Sequence, residues 1–255
     1  MIRTAFIALA ATLLSPTLVM AQPACTSITV TGHPSYPPIS EAKDDTLVGA
    51  APKLFAAVAK RVGVKNVNVK NYGSWDKAQA ATRGGEADAI FGIYKNDERA
   101  DWLDYVEPPF MMDPVSIIVR KGDGFPFADW ADLKGRKGVT NIGESFGESF
   151  DAFMAASLTV ARAEGVDKAF AELIAKRADY LIIGMYPGEI ESEKLGLKAK
   201  VEFLPKPLDS VGMYIGFSKA SKCSAMKTEF VDILNKEVKS GWVEKLIEEA
   251  KKKSD

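Results

Sequence analysis

Two cysteines and a single histidine, His33, are too few to build a zinc site, which draws four ligands mainly from those two residue types. The sequence therefore points to no metal and no cofactor. Excess positive charge is missing as well. The 33 basic and 34 acidic residues leave a formal net charge of −1, and the basic run Lys251-Lys252-Lys253 follows Glu248 and Glu249 as a solvated helix end would. A nucleic-acid binder needs a basic stripe or patch, so that class is excluded. Long apolar runs are absent too. The stretch at residues 5–14 falls well short of the roughly 20 residues a membrane-spanning helix needs. Neither a solenoid-length repeat nor a low-complexity segment is found.

What is present at the start is an export leader. Arg3 precedes the apolar run at 5–14, and Val19-Met20-Ala21 forms a small-residue cleavage pattern before Gln22. Cleavage after Ala21 is expected, and with it a periplasmic protein. In an oxidising compartment Cys25 and Cys223 are candidates for a disulfide, with two buried or free thiols as the alternative.

The pattern over residues 27–94 is β-α-β-α-β, the signature of an α/β protein with a mostly parallel sheet. Residues 27–31 alternate as a strand, and the proline-rich loop Gly32-His33-Pro34-Ser35-Tyr36-Pro37-Pro38 follows. Leu54, Phe55, Val58 and Val62 recur at helical spacing. A strand is expected at 66–69, and a helix from Trp75 capped by Ser74. Gly84-Gly85 turns the chain into an apolar strand at 87–93.

Beyond that strand, Asn96 or Asp97 is placed to cap a short helical turn carrying Arg99. An arginine just past the carboxyl end of a buried strand sits where open α/β sheets bind ligands. The competing expectation is a surface ion pair with Asp97 or Asp101. The segment 107–110, Glu-Pro-Pro-Phe, reads as a proline-stiffened loop, and 115–119 as a strand. A second β/α unit then runs from about 137 to 204. Within it, Ser145 and Glu148 match a capping box ahead of a helix at 146–156, while the same glycine-containing turn offers N–H groups to an anion. A strand at 211–217 and two helices, about 224–239 and 241–252, close the chain.

These features, in this order, resemble the bacterial extracellular solute-binding proteins of family 3. The residues carrying the likeness are Ser35-Tyr36-Pro37-Pro38, Gly85-Glu86-Ala87-Asp88, Glu98-Arg99, Glu107-Pro108-Pro109-Phe110, Asp132-Leu133-Lys134-Gly135, Gly143 with Ser145 and Gly147, and Val211-Gly212-Met213. The resemblance implies a two-lobe periplasmic-binding-protein fold of type II. Lobe one would comprise residues 22–111 plus 209–255 and lobe two residues 112–208, joined by hinge strands near 112–118 and 209–216.

It also implies that a small carboxylate-bearing ligand is clamped between the lobes, with Arg99 on its carboxylate. Tyr36 would pack on the ligand and Ser145 donate to the same carboxylate. Apart from the resemblance, Tyr94 and Trp75 are further ligand-binding candidates, with core packing the alternative for Trp75. The implied partner is an ABC transporter permease in the inner membrane, met by a monomer. The chain departs from the family where many members carry an acidic residue for the ligand ammonium. Here Tyr180-Leu181-Ile182-Ile183 runs into Gly184-Met185-Tyr186. Either Glu144 or Glu148 takes that part, or the ligand lacks an α-amino group, and Lys95 would favour a second negative group. The residues lean toward a carboxylated ligand that is not a standard α-amino acid. The rival expectations are a cyclohexadienyl-type dehydratase on the same scaffold, with Glu144, Glu148 and His33 as its acids and bases, and a sensor module.

Overall fold

The first described segment runs from Cys25 straight into β1 (Ser27–Thr31). A computed structural model describes residues 25–254, so the leader expected at 1–21 lies outside the described residues. A small antiparallel sheet follows, β2 (Ser35–Tyr36), β3 (Ser40–Lys43) and β4 (Thr46–Val48). Helix α1 (Ala50–Arg61) then buries Ala51, Leu54, Phe55 and Val58, positions three and four apart that share one face. β5 (Asn66–Val69), α2 (Trp75–Arg83) and β6 (Ala89–Tyr94) complete a unit in which β1 pairs in parallel with both β5 and β6.

After the one-turn helix α3 (Asp97–Ala100), the chain enters β7 (Leu103–Arg120), an 18-residue strand. The second unit contains β8 (Lys137–Asn141), α4 (Glu148–Ser157), β9 (Thr159–Ala163), α5 (Val166–Ile174), β10 (Tyr180–Gly184), α6 (Met185–Lys194) and β11 (Val201–Phe203). β12 (Asp209–Ser218) returns, and α7 (Lys227–Lys239) and α8 (Trp242–Ser254) pack back on the first unit.

Among the described residues the main sheet runs β5-β1-β6-β12-β7-β10-β8-β9, with β11 on β7. Strands within each unit are parallel, whereas β7 and β12 are antiparallel to each other and to their neighbours. These two strands are therefore the crossings between the two β/α units.

The expected loop at 107–110 is part of β7. Its register against β12 jumps from Val106↔Ile215 to Met111↔Met213. Pro108 and Pro109 thus fall at the break, where the ladder does not call on the N–H that proline lacks. That is why a proline pair reads as a loop in sequence yet sits within a strand.

Each unit has its own apolar packing. In the first, Phe55 of α1 meets Phe230 of α7 with ring centroids 5.0 Å apart, and Phe230 meets Phe217 of β12 edge-on at 5.3 Å. In the second, Phe170 and Leu173 of α5 cover Val139 of β8 and Leu181 of β10. A disulfide joins Cys25, at the start of β1, to Cys223, just after β12, and ties the two ends of the first unit together. The parallel strands β1, β6, β8 and β10 end in the segments that carry His33, Asn96 to Arg99, residues 141–145 and Gly184. All four meet at the cleft between the units, as expected for open α/β sheets.

Candidate site in the cleft

Asn96 fixes the arginine. Its side-chain oxygen accepts the Arg99 backbone N–H at 2.8 Å, capping α3 and turning the Arg99 side chain inward. Arg99 is 2% exposed. It donates from Nε to Gln79 Oε1 at 3.1 Å, from Nη1 to the Tyr94 carbonyl at 2.9 Å, and from Nη2 to the Gly143 carbonyl at 2.8 Å. The guanidinium also lies over the Trp75 ring, 5.7 Å from its centroid. The surface ion pair with Asp97 or Asp101 does not form, because Arg99 is drawn into the cleft. Burial lowers its pKa, and the field of Glu144 opposes that most strongly.

Trp75 is buried between Arg99 and His33, whose ring centroid is 5.1 Å away. Its Nε1 has no hydrogen-bond partner among the described residues. His33 Nδ1 accepts the Ser35 backbone N–H at 2.9 Å, so that nitrogen carries no proton. The His33 Nε2 lies 3.1 Å from both Glu144 Oε1 and Asn141 Nδ2.

Deeper in the cleft, Tyr36 and Tyr94 bring their hydroxyls within 2.5 Å of each other and both reach Asp113 Oδ2, at 2.8 and 2.7 Å. Asp113 comes from β7 and is fully buried. Its pKa is pushed up to about 6 by desolvation, against the lowering effect of the two tyrosine bonds. Burial, and then the charge of Asp113, raises the pKa of both tyrosines.

The segment 141–145 separates two cavities. One, of about 610 Å³, is lined by Arg99, Gly143, Glu144, Ser145 and Asp151 among others. The other, of about 500 Å³, is lined by His33, Trp75 and Asn141 among others. A further cavity of about 470 Å³ at α6 and β11 lies away from this cluster. Among the described residues no three His, Cys, Asp or Glu side chains gather as a metal site, and no helix is long and apolar enough to cross a membrane.

The profile of the bacterial extracellular solute-binding proteins, family 3, matches residues 28–252. The chain belongs to that family. It has the two-lobe fold seen in solved structures of this kind. One is an amino acid ABC transporter substrate-binding protein, AbpA from Streptococcus pneumoniae, bound to L-arginine (21% identity, 90% of this chain and 96% of that one covered, TM-score 0.70). A second is the arginine-, lysine-, histidine-binding protein ArtJ from Geobacillus stearothermophilus (22% identity, 88% and 94% covered, TM-score 0.69). A histidine kinase sensor domain is equally similar in shape (20% identity, 88% and 95% covered, TM-score 0.70). No curated protein matches.

In this family 3 chain the residues singled out from sequence do not all meet in the same way. Arg99, Trp75, Tyr36 and Tyr94 gather in the cleft and are buried. Ser145 lies there too, but no capping box forms. Its hydroxyl donates to Asp151 Oδ2 and accepts from Asn96 Nδ2 at 2.9 Å, while Asp151 Oδ1 takes the Phe146 N–H. Helix α4 starts at Glu148 behind Gly147, and Glu148 accepts the Asp97 N–H across the cleft mouth. Asp151 folds back on the turn and takes the Ser145 hydroxyl six residues before it and the Phe146 N–H five before it, while Glu148 is occupied by the Asp97 N–H. Residues 143–147 also have Gly-x-Ser-x-Gly spacing. The Ser145 hydroxyl is engaged by Asp151 and Asn96, whereas the sole histidine faces Glu144.

Lys95 does not face the ligand region. It pairs with Glu107 at the surface. Asp113 was missed altogether. The available signal was an aspartate in the run Met111-Met112-Asp113-Pro114-Val115, where a buried strand would otherwise be apolar.

Proposed function

We propose that this solute-binding protein is an exported receptor that clamps a small carboxylate-bearing ligand between its lobes and presents the closed form to an ABC transporter permease. The observation supporting this is the bonding of Arg99. A guanidinium has five N–H donors, and three are met by uncharged oxygens, so one N–H remains on each terminal nitrogen. A carboxylate accepts such a pair with good geometry and neutralises the buried charge. The bond to Gly143 also makes Arg99 a contact between lobes, so a ligand held there favours closure. The family relationship and the amino-acid ligands named for AbpA and ArtJ agree with this reading.

Dehydration on the same scaffold would need a general acid or base set against substrate. Glu144 is instead engaged with His33, and Glu148 with the Asp97 backbone.

The test is titration calorimetry of the purified protein with L-amino acids and amine-free carboxylic acids, beside Arg99→Lys. Saturable binding of a carboxylate that weakens strongly in a folded Arg99→Lys variant supports the reading. Carboxylate binding indifferent to the substitution would refute it.

A further inference from the structure

Tyr36, Tyr94 and Asp113 meet where the two β/α units join. Tyr36 (β2) and Tyr94 (β6) belong to the first unit, Asp113 to the crossing strand β7, and Gly184, at the end of β10, to the second. The packing here is tight. A Cβ on Gly184 would run into the Tyr36 hydroxyl and approach Asp113 Oδ2 to 3.0 Å. Gly184 thus seals the junction, and Asp113 is 0% exposed.

Counting hydrogens decides the state of the carboxyl. The Tyr36 and Tyr94 hydroxyl oxygens lie 2.5 Å apart, and each reaches Asp113 Oδ2, at 2.8 and 2.7 Å. Three such contacts need three hydrogens. With Asp113 ionised the hydroxyls supply only two, and one pair of oxygens would meet lone pair to lone pair. A proton on Oδ2 completes a ring in which each oxygen donates once and accepts once. It also removes the charge from Oδ1, which is buried without a hydrogen-bond partner among the described residues.

The ionisable groups facing Asp113 are Tyr36, Tyr94, Glu144 from the turn after β8 and Tyr186 from α6, and none of these is a cation. Glu144 opposes a second negative charge. When the lobes part about β7 and β12, Gly184 and Glu144 leave with the second unit. Water then reaches the carboxyl, and hydration favours its ionised form.

We propose that closure of the lobes takes up one proton from solvent at Asp113, making the junction a pH-sensitive latch that favours the closed cleft in acid and releases it toward neutral pH. The latch acts on the hinge whatever Arg99 holds. Burial pushes the Asp113 pKa up to about 6 in the closed form, against an ordinary 3.8 when hydrated. The advantage of closure is therefore complete below about pH 4 and is lost as pH rises through about 6.

The experiment is small-angle scattering of the ligand-free protein at pH 5 and pH 8, fitted as a mixture of closed and open forms. The closed-to-open ratio should fall about tenfold over that interval, and the radius of gyration should rise. In Asp113→Asn, which cannot ionise, the ratio should not change with pH. Should that variant not fold, Tyr36→Phe leaves one hydroxyl hydrogen for the one remaining contact, so the ionised carboxyl is tolerated and the fall should shrink. His33 and Glu144 also meet across the cleft, and His33→Gln should keep the full response. A ratio that does not move with pH in wild type overturns the proposal. So does a response that survives Asp113→Asn, or, where only Tyr36→Phe folds, one that survives that substitution in full. A response lost in His33→Gln overturns it too, and assigns the latch to His33 and Glu144.

Discussion

Arg99 Nη2 donates to the carbonyl of Gly143 at 2.8 Å, and this bond spans the cleft from the turn after β6 to the turn after β8. Gln79 Nε2 reaches the same carbonyl at 3.1 Å, so Gly143 is gripped from two elements of the first lobe. Further bonds at the mouth, Asn96 to Ser145 and the Asp97 N–H to Glu148, follow the same direction. If Arg99 holds the ligand carboxylate as proposed, recognition and closure share one guanidinium.

Replacing Arg99 with alanine is expected to weaken binding of a carboxylate ligand by roughly 2–5 kcal/mol, much of it from a carboxylate left buried without its partner. Calorimetry measures the loss. A fall in melting temperature with unchanged affinity would assign Arg99 to structure alone.

Gly143 has φ +80, and a Cβ there would approach Gln79 Nε2 to 2.8 Å. Gly143→Ala is expected to cost about 1–2 kcal/mol of backbone strain and to displace the carbonyl from Arg99. The cleft should open, visible as a larger radius of gyration in small-angle scattering.

Asp113 is held at a pKa of about 6, above its ordinary 3.8, by burial. A raised carboxyl pKa means that the folded state prefers the proton. Its contribution to stability is therefore complete below about pH 4 and is lost as pH rises through about 6, a swing of roughly 3 kcal/mol. The stability of wild type relative to Asp113→Asn, from urea melts of the ligand-free proteins, should fall between pH 4 and pH 7. A flat difference would show that the carboxyl is not perturbed.

The Cys25–Cys223 bridge closes a loop with a sequence separation of 198 residues. Cys25→Ser/Cys223→Ser is expected to lower stability by about 2–5 kcal/mol. Ligand affinity should hardly change, because the bridge lies at the far end of β1 from the cleft. Denaturant melts and calorimetry on the same variant separate the two effects.

Much of the frame was legible in the sequence. The strand at 66–69 and the helical face of Leu54, Phe55 and Val58 follow from alternation and period, which report only which face is buried. The cap of Asn96 on Arg99 is local chemistry within three residues, so it too could be read. The order of the motifs identified the two-lobe family.

Tertiary structure decided what those local signals leave open. Whether Arg99 meets Asp97 or the Gly143 carbonyl depends on an element 44 residues away. Asp151 displaced the expected Ser145–Glu148 box because Glu148 found a backbone donor on the other lobe. Pro108 and Pro109 fit inside a strand because the partner strand's register breaks opposite them. Asp113 became a buried acid near pKa 6 when two tyrosines, 77 and 19 residues away in sequence, closed over it. Local pattern sets which residues turn inward, while desolvation and the partners met there, which set their chemistry, exist only after the lobes pack.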